Sequence, residues 1–271
     1  MSQLLAEVLS NNLFAEDHFR IRLLAPEIAG KVLPGQFVML RKPDEFEPFL
    51  PRAYSIHNIS NSGSKNEPAA IEILYKVVGR MTRLLETIKP GQRLSVWGPL
   101  GHAFTTGGVK KAALVAGGIG IAPFLFLAKT LRRQGVDTLY LFFGACAKEH
   151  LVGLGEFEEL GVEVHPATED GSCGHKGFVT EMFGQKLTGL AEKEFRVYGC
   201  GPHPMLARLA AICKSRGLSC EVSLEAMMAC GIGACQGCAQ AVLDESNTGF
   251  HYELVCKDGP VFDAARIKWT S

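Results

Sequence analysis

Apolar residues in the first hundred positions fall in short runs or alternate with polar ones, the period-two signature of half-buried strands. Such runs occur at Leu4–Leu9, Phe19–Leu24, Gln36–Leu40, Ala53–His57, Ile71–Val78 and Arg93–Trp97, with Pro34-Gly35, Asn61–Gly63 and Pro90-Gly91 as turn signals. About six strands at this spacing predict a small antiparallel barrel, interrupted by one helix near Met81–Ile88. After Gly107-Gly108 the rhythm changes. Apolar strands at Ala112–Ala116, Thr138–Phe143, Val162–His165 and Arg196–Tyr198 alternate with helical stretches at Pro123–Gln134 and Pro204–Arg216, the second closed by Gly217. That alternation predicts a parallel sheet covered by helices, a nucleotide-binding architecture. From about Cys220 the pattern changes again, into a cysteine- and glycine-rich segment too short for a conventional core and in need of a staple. The expected organisation is α+β and multidomain: an N-terminal antiparallel β-barrel over 1–103, a central α/β parallel-sheet nucleotide domain over 104–219, and a small C-terminal domain over 220–271.

Composition narrows the function. The chain has 271 residues, 28 Lys+Arg against 28 Asp+Glu, 47% hydrophobic and 21% charged residues. This excludes a largely disordered chain, and the missing basic excess argues against a nucleic-acid partner. The uncharged run Ala112–Ala128 is shorter than a spanning helix and carries Gly117, Gly118, Gly120 and Pro123, so a strand–turn–helix is expected and no membrane association. Met1–Asn12 lacks a basic start and apolar core, which predicts a cytoplasmic protein. In a reducing cytosol nine cysteines suggest metal or redox chemistry before disulfides.

Cys230, Cys235, Cys238 and Cys256 are spaced C-x4-C-x2-C-x17-C. The first three match the ligand spacing of plant-type [2Fe–2S] clusters, in which a tight loop turns three thiolates inward and a distant residue supplies the fourth. Gly231, Gly233 and Gly237 suit a loop that aims backbone N–H groups at sulfur. Structural zinc is the main rival, although it favours paired C-x2-C knuckles and only Cys235/Cys238 is such a pair. A dithiol at Cys235–Cys238 leaves Cys230 and Cys256 unexplained. Cys173-x-His175 and Cys200-x2-His203 imitate the halves of a Rieske site, but Cys200 directly follows a buried strand and Cys173 sits in a polar loop.

Two further motifs concern phosphate. Gly117-Gly118-Ile119-Gly120-Ile121-Ala122-Pro123 links a strand to a helix, where small residues let a pyrophosphate approach the helix N-terminus. Pro123 replaces the third glycine of G-x-G-x-x-G, so a merely tight turn competes with the binding loop. Arg52-Ala53-Tyr54-Ser55 joins a phosphate-pairing Arg, an aromatic face and a hydroxyl on one strand, with alternation placing Arg52 and Tyr54 on one side and Ser55 on the other. A solvent-edge Arg with a packed Tyr is the simpler account of that tetrapeptide alone.

Taken in order, these motifs resemble the ferredoxin–NADP reductase superfamily, most closely its class 1B dihydroorotate dehydrogenase electron-transfer subunits. The resemblance covers essentially the whole chain and runs through Pro34-Gly35-Gln36-Phe37, Arg52–Ser55, Gly98-Pro99-Leu100-Gly101, Gly117–Pro123, Glu169-Asp170-Gly171-Ser172 and Cys200-Gly201-Pro202. Its most specific part is Cys230–Cys238 followed by Cys256-Lys-Asp-Gly-Pro-Val-Phe262. It implies that Arg52, Ala53, Tyr54 and Ser55 hold FAD, with Arg52 at the pyrophosphate and Tyr54 and Ser55 at the ribityl–isoalloxazine end. Leu74, Tyr75 and Lys76 line the cofactor on this reading, and Met81 and Thr82 cap its phosphates. Met81 departs from the Gly usual there, which puts the contact of its N–H in question. Gly117, Gly118, Gly120, Pro123, Gly201 and Pro202 receive NAD(H), with Cys200 as the catalytic candidate near the nicotinamide. Cys146 stands where many relatives carry an Arg, which favours NADH, although Lys148 and His150 keep NADPH open.

The implied activity is an oxidoreductase relay between NAD(H), FAD and a [2Fe–2S] cluster in pyrimidine (UMP) biosynthesis. The implied partner is an FMN-containing dihydroorotate dehydrogenase catalytic subunit, in a heterotetramer of two of each. No residue of this chain has the look of a base for dihydroorotate. Two alternatives compete: the small flavin and iron–sulfur subunit of an NADH-dependent ferredoxin:NADP oxidoreductase or sulfide dehydrogenase, and a zinc-stapled nucleotide-binding module.

Overall fold

The computed structural model describes residues 1–43, 47–61, 69–187, 195–244 and 249–269. Strands β1 (Ser2–Ala15), β2 (His18–Leu24), β3 (Phe37–Arg41), β4 (Arg52–Ser55), β5 (Asn58–Asn61), β6 (Ala69–Lys76) and β7 (Arg93–Leu100) form a seven-stranded antiparallel sheet, ordered β4-β3-β7-β1-β2-β6-β5. The short α1 (Pro26–Ala29) and the amphipathic α2 (Arg80–Thr87) complete this barrel-like unit. Alternation drives it inward: Ala6 and Val8, Ile21 and Leu23, Val38 and Leu40, Ile71 and Ile73, and Leu94 and Val96 share one core. The sequence pattern misses β5, because Asn-Ile-Ser-Asn reads as polar. Its Asn58 is buried instead against Glu72, donating through Nδ2 to Oε2 at 3.1 Å. The strand expected over Ala53–His57 is displaced to Arg52–Ser55, since the His57 N–H crosses to the Glu72 carbonyl of β6 at 2.8 Å, and the turn expected at Asn61–Gly63 runs beyond the described residues.

The second sheet is α/β. Parallel strands β8 (Lys111–Gly117), β9 (Thr138–Ala145), β10 (Glu163–Thr168), β11 (His175–Lys176), β12 (Phe195–Cys200) and β13 (Ser219–Ser223) are covered by α3 (Phe124–Arg133), α4 (Leu154–Glu158), α5 (Val179–Lys186) and α6 (His203–Arg216). Beyond β13 the chain leaves the sheet and forms an antiparallel hairpin, β14 (Ala239–Leu243) and β15 (Phe250–Leu254). It returns as β16 (Val261–Asp263), antiparallel to β13, and the completed sheet has the order β11-β10-β9-β8-β12-β13-β16. The apolar run Ala112–Ala128 resolves into β8, a 3-10 turn over Gly118–Ile121 and the start of α3. Among the described residues no helix is long and apolar enough to cross a membrane.

Side chains tie the two sheets together. Arg20 of β2 pairs with Glu156 of α4 at 2.7 Å. Lys129 of α3 donates to Asn58 at 3.2 Å, and the buried His57 donates from Nδ1 to the Ala122 carbonyl at 2.7 Å. The last bond fixes the glycine loop against the barrel.

Candidate functional site

One cavity lies on the seam between the sheets, a second on the barrel and a third on the α/β sheet, and a cysteine loop follows β13. The first cavity, about 340 Å³, is walled on the barrel side by Ala53, Tyr54, Ser55, Leu74, Tyr75, Lys76 and Thr82. On the α/β side it is walled by Pro123 and Cys200. Tyr54 and Tyr75 meet edge to face at 6.4 Å. Burial pushes the Tyr75 phenol up to about 12 even though it donates to Asn11 Oδ1, and burial also raises Tyr54, so both rings stay neutral. Tyr54 and Ser55 both line this cavity, although alternation sets them on opposite sides of β4, an edge strand of the sheet.

The second cavity, about 670 Å³, is continuous in its lining with the first through Ala53, Tyr54, Val78 and Thr82, and adds Arg52, Gly79, Arg80 and Met81. Here α2 begins. Gly79 is its N-cap and has no side chain to accept the first free N–H groups, which therefore face the cavity at the positive end of the helix. The Thr82 hydroxyl is committed elsewhere. It accepts from the N–H of Val78 at 2.9 Å and of Gly79 at 3.0 Å, so its side chain braces the turn. The Met81 side chain is buried with the barrel core, and the residue also lines the cavity. Arg52 is exposed and bends back onto the carbonyls of Leu50 and Pro51 at 2.9 and 3.1 Å. Arg80 across the mouth is a second cation that the motif reading missed; it belongs to no recognisable tetrapeptide.

A third cavity of about 510 Å³ opens at the C-terminal ends of the parallel strands, where such sheets bind nucleotides. Gly117, Gly118 and Pro202 line it. Gly120 does not. A Cβ there would come within 2.3 Å of the Cys200 carbonyl, so this glycine permits the close packing of loop on strand end. A Cβ on Gly201, at φ +154°, would come within 3.0 Å of the Gly117 nitrogen. Cys200 is buried and lines the first cavity, and burial holds its thiol protonated. The Rieske imitation dissolves: His175 is in β11 and Cys200 in β12, four strands apart in the sheet.

Cys230, Cys235, Cys238 and Cys256 come together in the cysteine loop. The Ile232 and Cys235 N–H groups point at Cys230 Sγ (3.5 and 3.4 Å), that of Gly233 at Cys256 Sγ (3.1 Å), and that of Cys256 at Cys238 Sγ (3.4 Å). Burial alone would raise the Cys230 thiol, but the N–H groups of Cys235, Ile232 and Ala234 outweigh it and bring it down to about 6. Gly231 and Gly233 have φ of +72° and +81°, and Gln236 joins them at +58°. A Cβ on Gly231 would meet Met39 Cγ at 2.6 Å, so the loop is seated directly on the barrel beneath the first cavity. The four thiols with inward N–H groups fit a group spread over two irons.

The structure also supplies a wall that no motif announced. Ser223, Leu224, Glu225, Ala226 and Met228 line the first cavity and lead straight into Cys230. Only their position between a buried strand and the first cysteine could have flagged them.

Three family models match the chain: an oxidoreductase FAD-binding domain over residues 6–104, an oxidoreductase NAD-binding domain over 114–210, and the iron-sulfur cluster binding domain of dihydroorotate dehydrogenase B over 225–268. The solved structure of an NADH-dependent reduced ferredoxin-NADP oxidoreductase, studied for flavin-based electron bifurcation, superposes with a TM-score of 0.83 at 28% identity. It covers 98% of this chain and 90% of its own. The dihydroorotate dehydrogenase B (NAD(+)) electron transfer subunit of Caldanaerobacter subterraneus is 40% identical over 97% of both chains, and that of Desulforamulus reducens 35% identical over 97% of both. The barrel, the α/β sheet and the cysteine loop are thus matched together and in order, and the chain belongs to the family of dihydroorotate dehydrogenase B electron transfer subunits.

Proposed function

We propose that this chain carries electrons between NAD(H) and an FMN-containing dihydroorotate dehydrogenase catalytic subunit, in a cytoplasmic heterotetramer of two of each, with flow from dihydroorotate to NAD. The observation that carries the reading is the first cavity, whose single lining joins Tyr54 and Tyr75 of the barrel, Pro123 and Cys200 of the α/β sheet, and the Leu224–Met228 approach to Cys230. Such a junction suits a group that must meet both a nicotinamide and a cluster. Bound flavin supplies conversion between a two-electron hydride and the single electrons a [2Fe–2S] cluster handles.

The residues divide the work. Ala53, Tyr54, Ser55, Leu74, Tyr75 and Lys76 enclose the isoalloxazine end of FAD in the first cavity. Arg52 and the N–H groups of Met81 and Thr82 take its pyrophosphate in the second. Gly117, Gly118, Gly120 and Pro123 form the loop under NAD(H) with Gly201 and Pro202, and Cys200 lies beside the nicotinamide as a neutral thiol that shapes the cavity. Cys230, Cys235, Cys238 and Cys256 ligate the cluster. The units are 1–103, 104–219 and 220–271. Cys235 is exposed, and in the same segment Ile232 is half-exposed and Met227 almost fully exposed, so electrons pass between this chain and its partner on this side.

Anaerobically purified chain tests this. Flavin bands with an iron–sulfur shoulder, dye reduction by NADH and no orotate formation are expected. A colourless protein with stoichiometric zinc, or orotate formed by this chain alone, would overturn it.

A further inference from the structure

The first cavity has two walls, and one buried side chain joins them from behind. Ala53, Tyr54 and Ser55 stand on the barrel side, while Ile119, Ala122 and Pro123 of the glycine loop stand opposite. His57 lies two residues beyond Ser55. Its N–H donates to the Glu72 carbonyl of β6 at 2.8 Å, which roots the residue in the barrel, and Nδ1 donates across the seam to the Ala122 carbonyl at 2.7 Å. Ala122 is buried, so that carbonyl needs a donor from the protein. The backbone ladder into α3 begins one residue later, with the Leu127 N–H on the Pro123 carbonyl at 3.4 Å. His57 supplies what the helix does not.

The imidazole has no other polar task. Donation from Nδ1 fixes the neutral ring with a bare Nε2, and that buried nitrogen has no hydrogen-bond partner among the described residues. The charges that face the ring are Glu156 of α4, Arg20 of β2 and Glu72 of β6, and they pair with one another: Arg20 lies 2.7 Å from Glu156 and 3.9 Å from Glu72. An unpartnered buried nitrogen costs stability that an apolar side chain of similar size would not. Packing alone therefore does not account for a histidine here, whereas the bond to Ala122 does. The other ties across the seam, Arg20 to Glu156 and Lys129 to Asn58, are only partly buried, and none of those four residues lines the first cavity.

We propose that His57 is a positioning residue for hydride transfer: it holds the Ala122–Pro123 step of the glycine loop against the flavin end of the first cavity and so sets how closely a nicotinamide can approach. This rests on the assignment of the first cavity to FAD and of the glycine loop to NAD(H). A misplacement of about 1 Å can cost on the order of a hundredfold in rate, so a single strut at this point has leverage. Anaerobic stopped-flow mixing of the FAD-loaded chain with NADH separates binding from flavin reduction, and deuterium exchange over residues 117–125 reads the loop without turnover. His57→Leu keeps bulk and removes the donor. It is expected to lower the limiting rate of flavin reduction about tenfold or more, to change the NADH dissociation constant less than about threefold, and to raise exchange in the loop. His57→Asn places Nδ2 as many bonds from Cβ as Nδ1 and is expected to regain most of the rate, whereas His57→Gln, one bond longer, is not. Lys129→Ala, which removes a tie away from the cavity, should lower Tm and leave the rate intact. A native rate in His57→Leu overturns the role of His57, as does an equal loss in the Asn and Gln variants or in Lys129→Ala, because each marks a general packing defect. If the Leu variant does not retain FAD, the contrast between Asn and Gln decides. A native FAD-loaded chain that NADH does not reduce overturns the cavity assignments as well.

Discussion

Cys200 and Cys230 carry the same thiol in opposite settings. At the buried end of β12, Cys200 is surrounded by low-dielectric protein and stays protonated, whereas Cys230 receives several backbone N–H groups and favours the thiolate. A metal ligand must be deprotonated, so Cys230 is prepared for its group before that group arrives, whereas burial and the neighbouring Cys238 push the Cys256 thiol up to about 12. Cys235→Ser is expected to abolish the reduced [2Fe–2S] signal in electron paramagnetic resonance while FAD absorbance persists; an unchanged signal would refute the ligand assignment. At the second cavity, Arg52→Ala is expected to weaken FAD about tenfold, through loss of a charge-assisted contact, as measured by FAD retained after dilution and gel filtration. Arg80→Ala should weaken it less, and full occupancy in the Arg52 variant would count against the pairing. The cluster cysteines were legible because ligand spacing survives in sequence. Arg80 was not, because its only credential is to stand at the N-terminus of α2 across from Arg52.

Elements differ in legibility for physical reasons. The strand β8 announced itself as an unbroken apolar run because a central parallel strand is buried on both faces. The edge strand β5 was invisible, since its buried Asn58 pairs with Glu72 and Lys129 where an apolar residue would alternate. The short α4 and the middle helix α5 lie in polar, glycine-punctuated sequence where periodicity has too few turns to show. The glycine loop was located correctly, yet its glycines separate by task. Gly117 and Gly118 border the third cavity, while Gly120 lies under the Cys200 carbonyl. Gly120→Ala therefore forces backbone against backbone. We expect about 1–3 kcal/mol of lost stability, read as a lower Tm, together with weaker NADH binding. An unperturbed Tm would show that the loop can yield.

The whole molecule is held across its seam by buried polar contacts, and one of them titrates. His57 is fully buried with Nδ1 bonded to the Ala122 carbonyl, and burial depresses its pKa below the ordinary 6.5. The unfolded chain takes up a proton near 6.5 that the folded chain refuses, so stability falls as pH drops through and below that value, by up to about 1.4 kcal/mol per pH unit for this group. Thermal unfolding is expected to be flat above about pH 7.5 and to weaken on acidification, with a shallower acid limb in His57→Gln whatever its Tm at neutral pH. A slope unaltered by that substitution would assign the effect to the other imidazoles that burial depresses, the buried His18 and the half-buried His165. The return of β16 to the sheet has a different reach. Ser223 and Val261 are cross-strand partners, and the Leu224 N–H donates to the Pro260 carbonyl at 2.9 Å. The cysteine segment thus leaves and rejoins the sheet at one antiparallel stem, and a clasp holds it beyond that stem: the Leu243 N–H donates to the Arg266 carbonyl at 2.7 Å and the Lys268 N–H to the Ala241 carbonyl at 3.0 Å. It is a clasped insert and no free cassette: replacing residues 225–259 by a short turn strips the last residues of their partner and the first cavity of one wall, although the strand order of the parallel sheet is set without it.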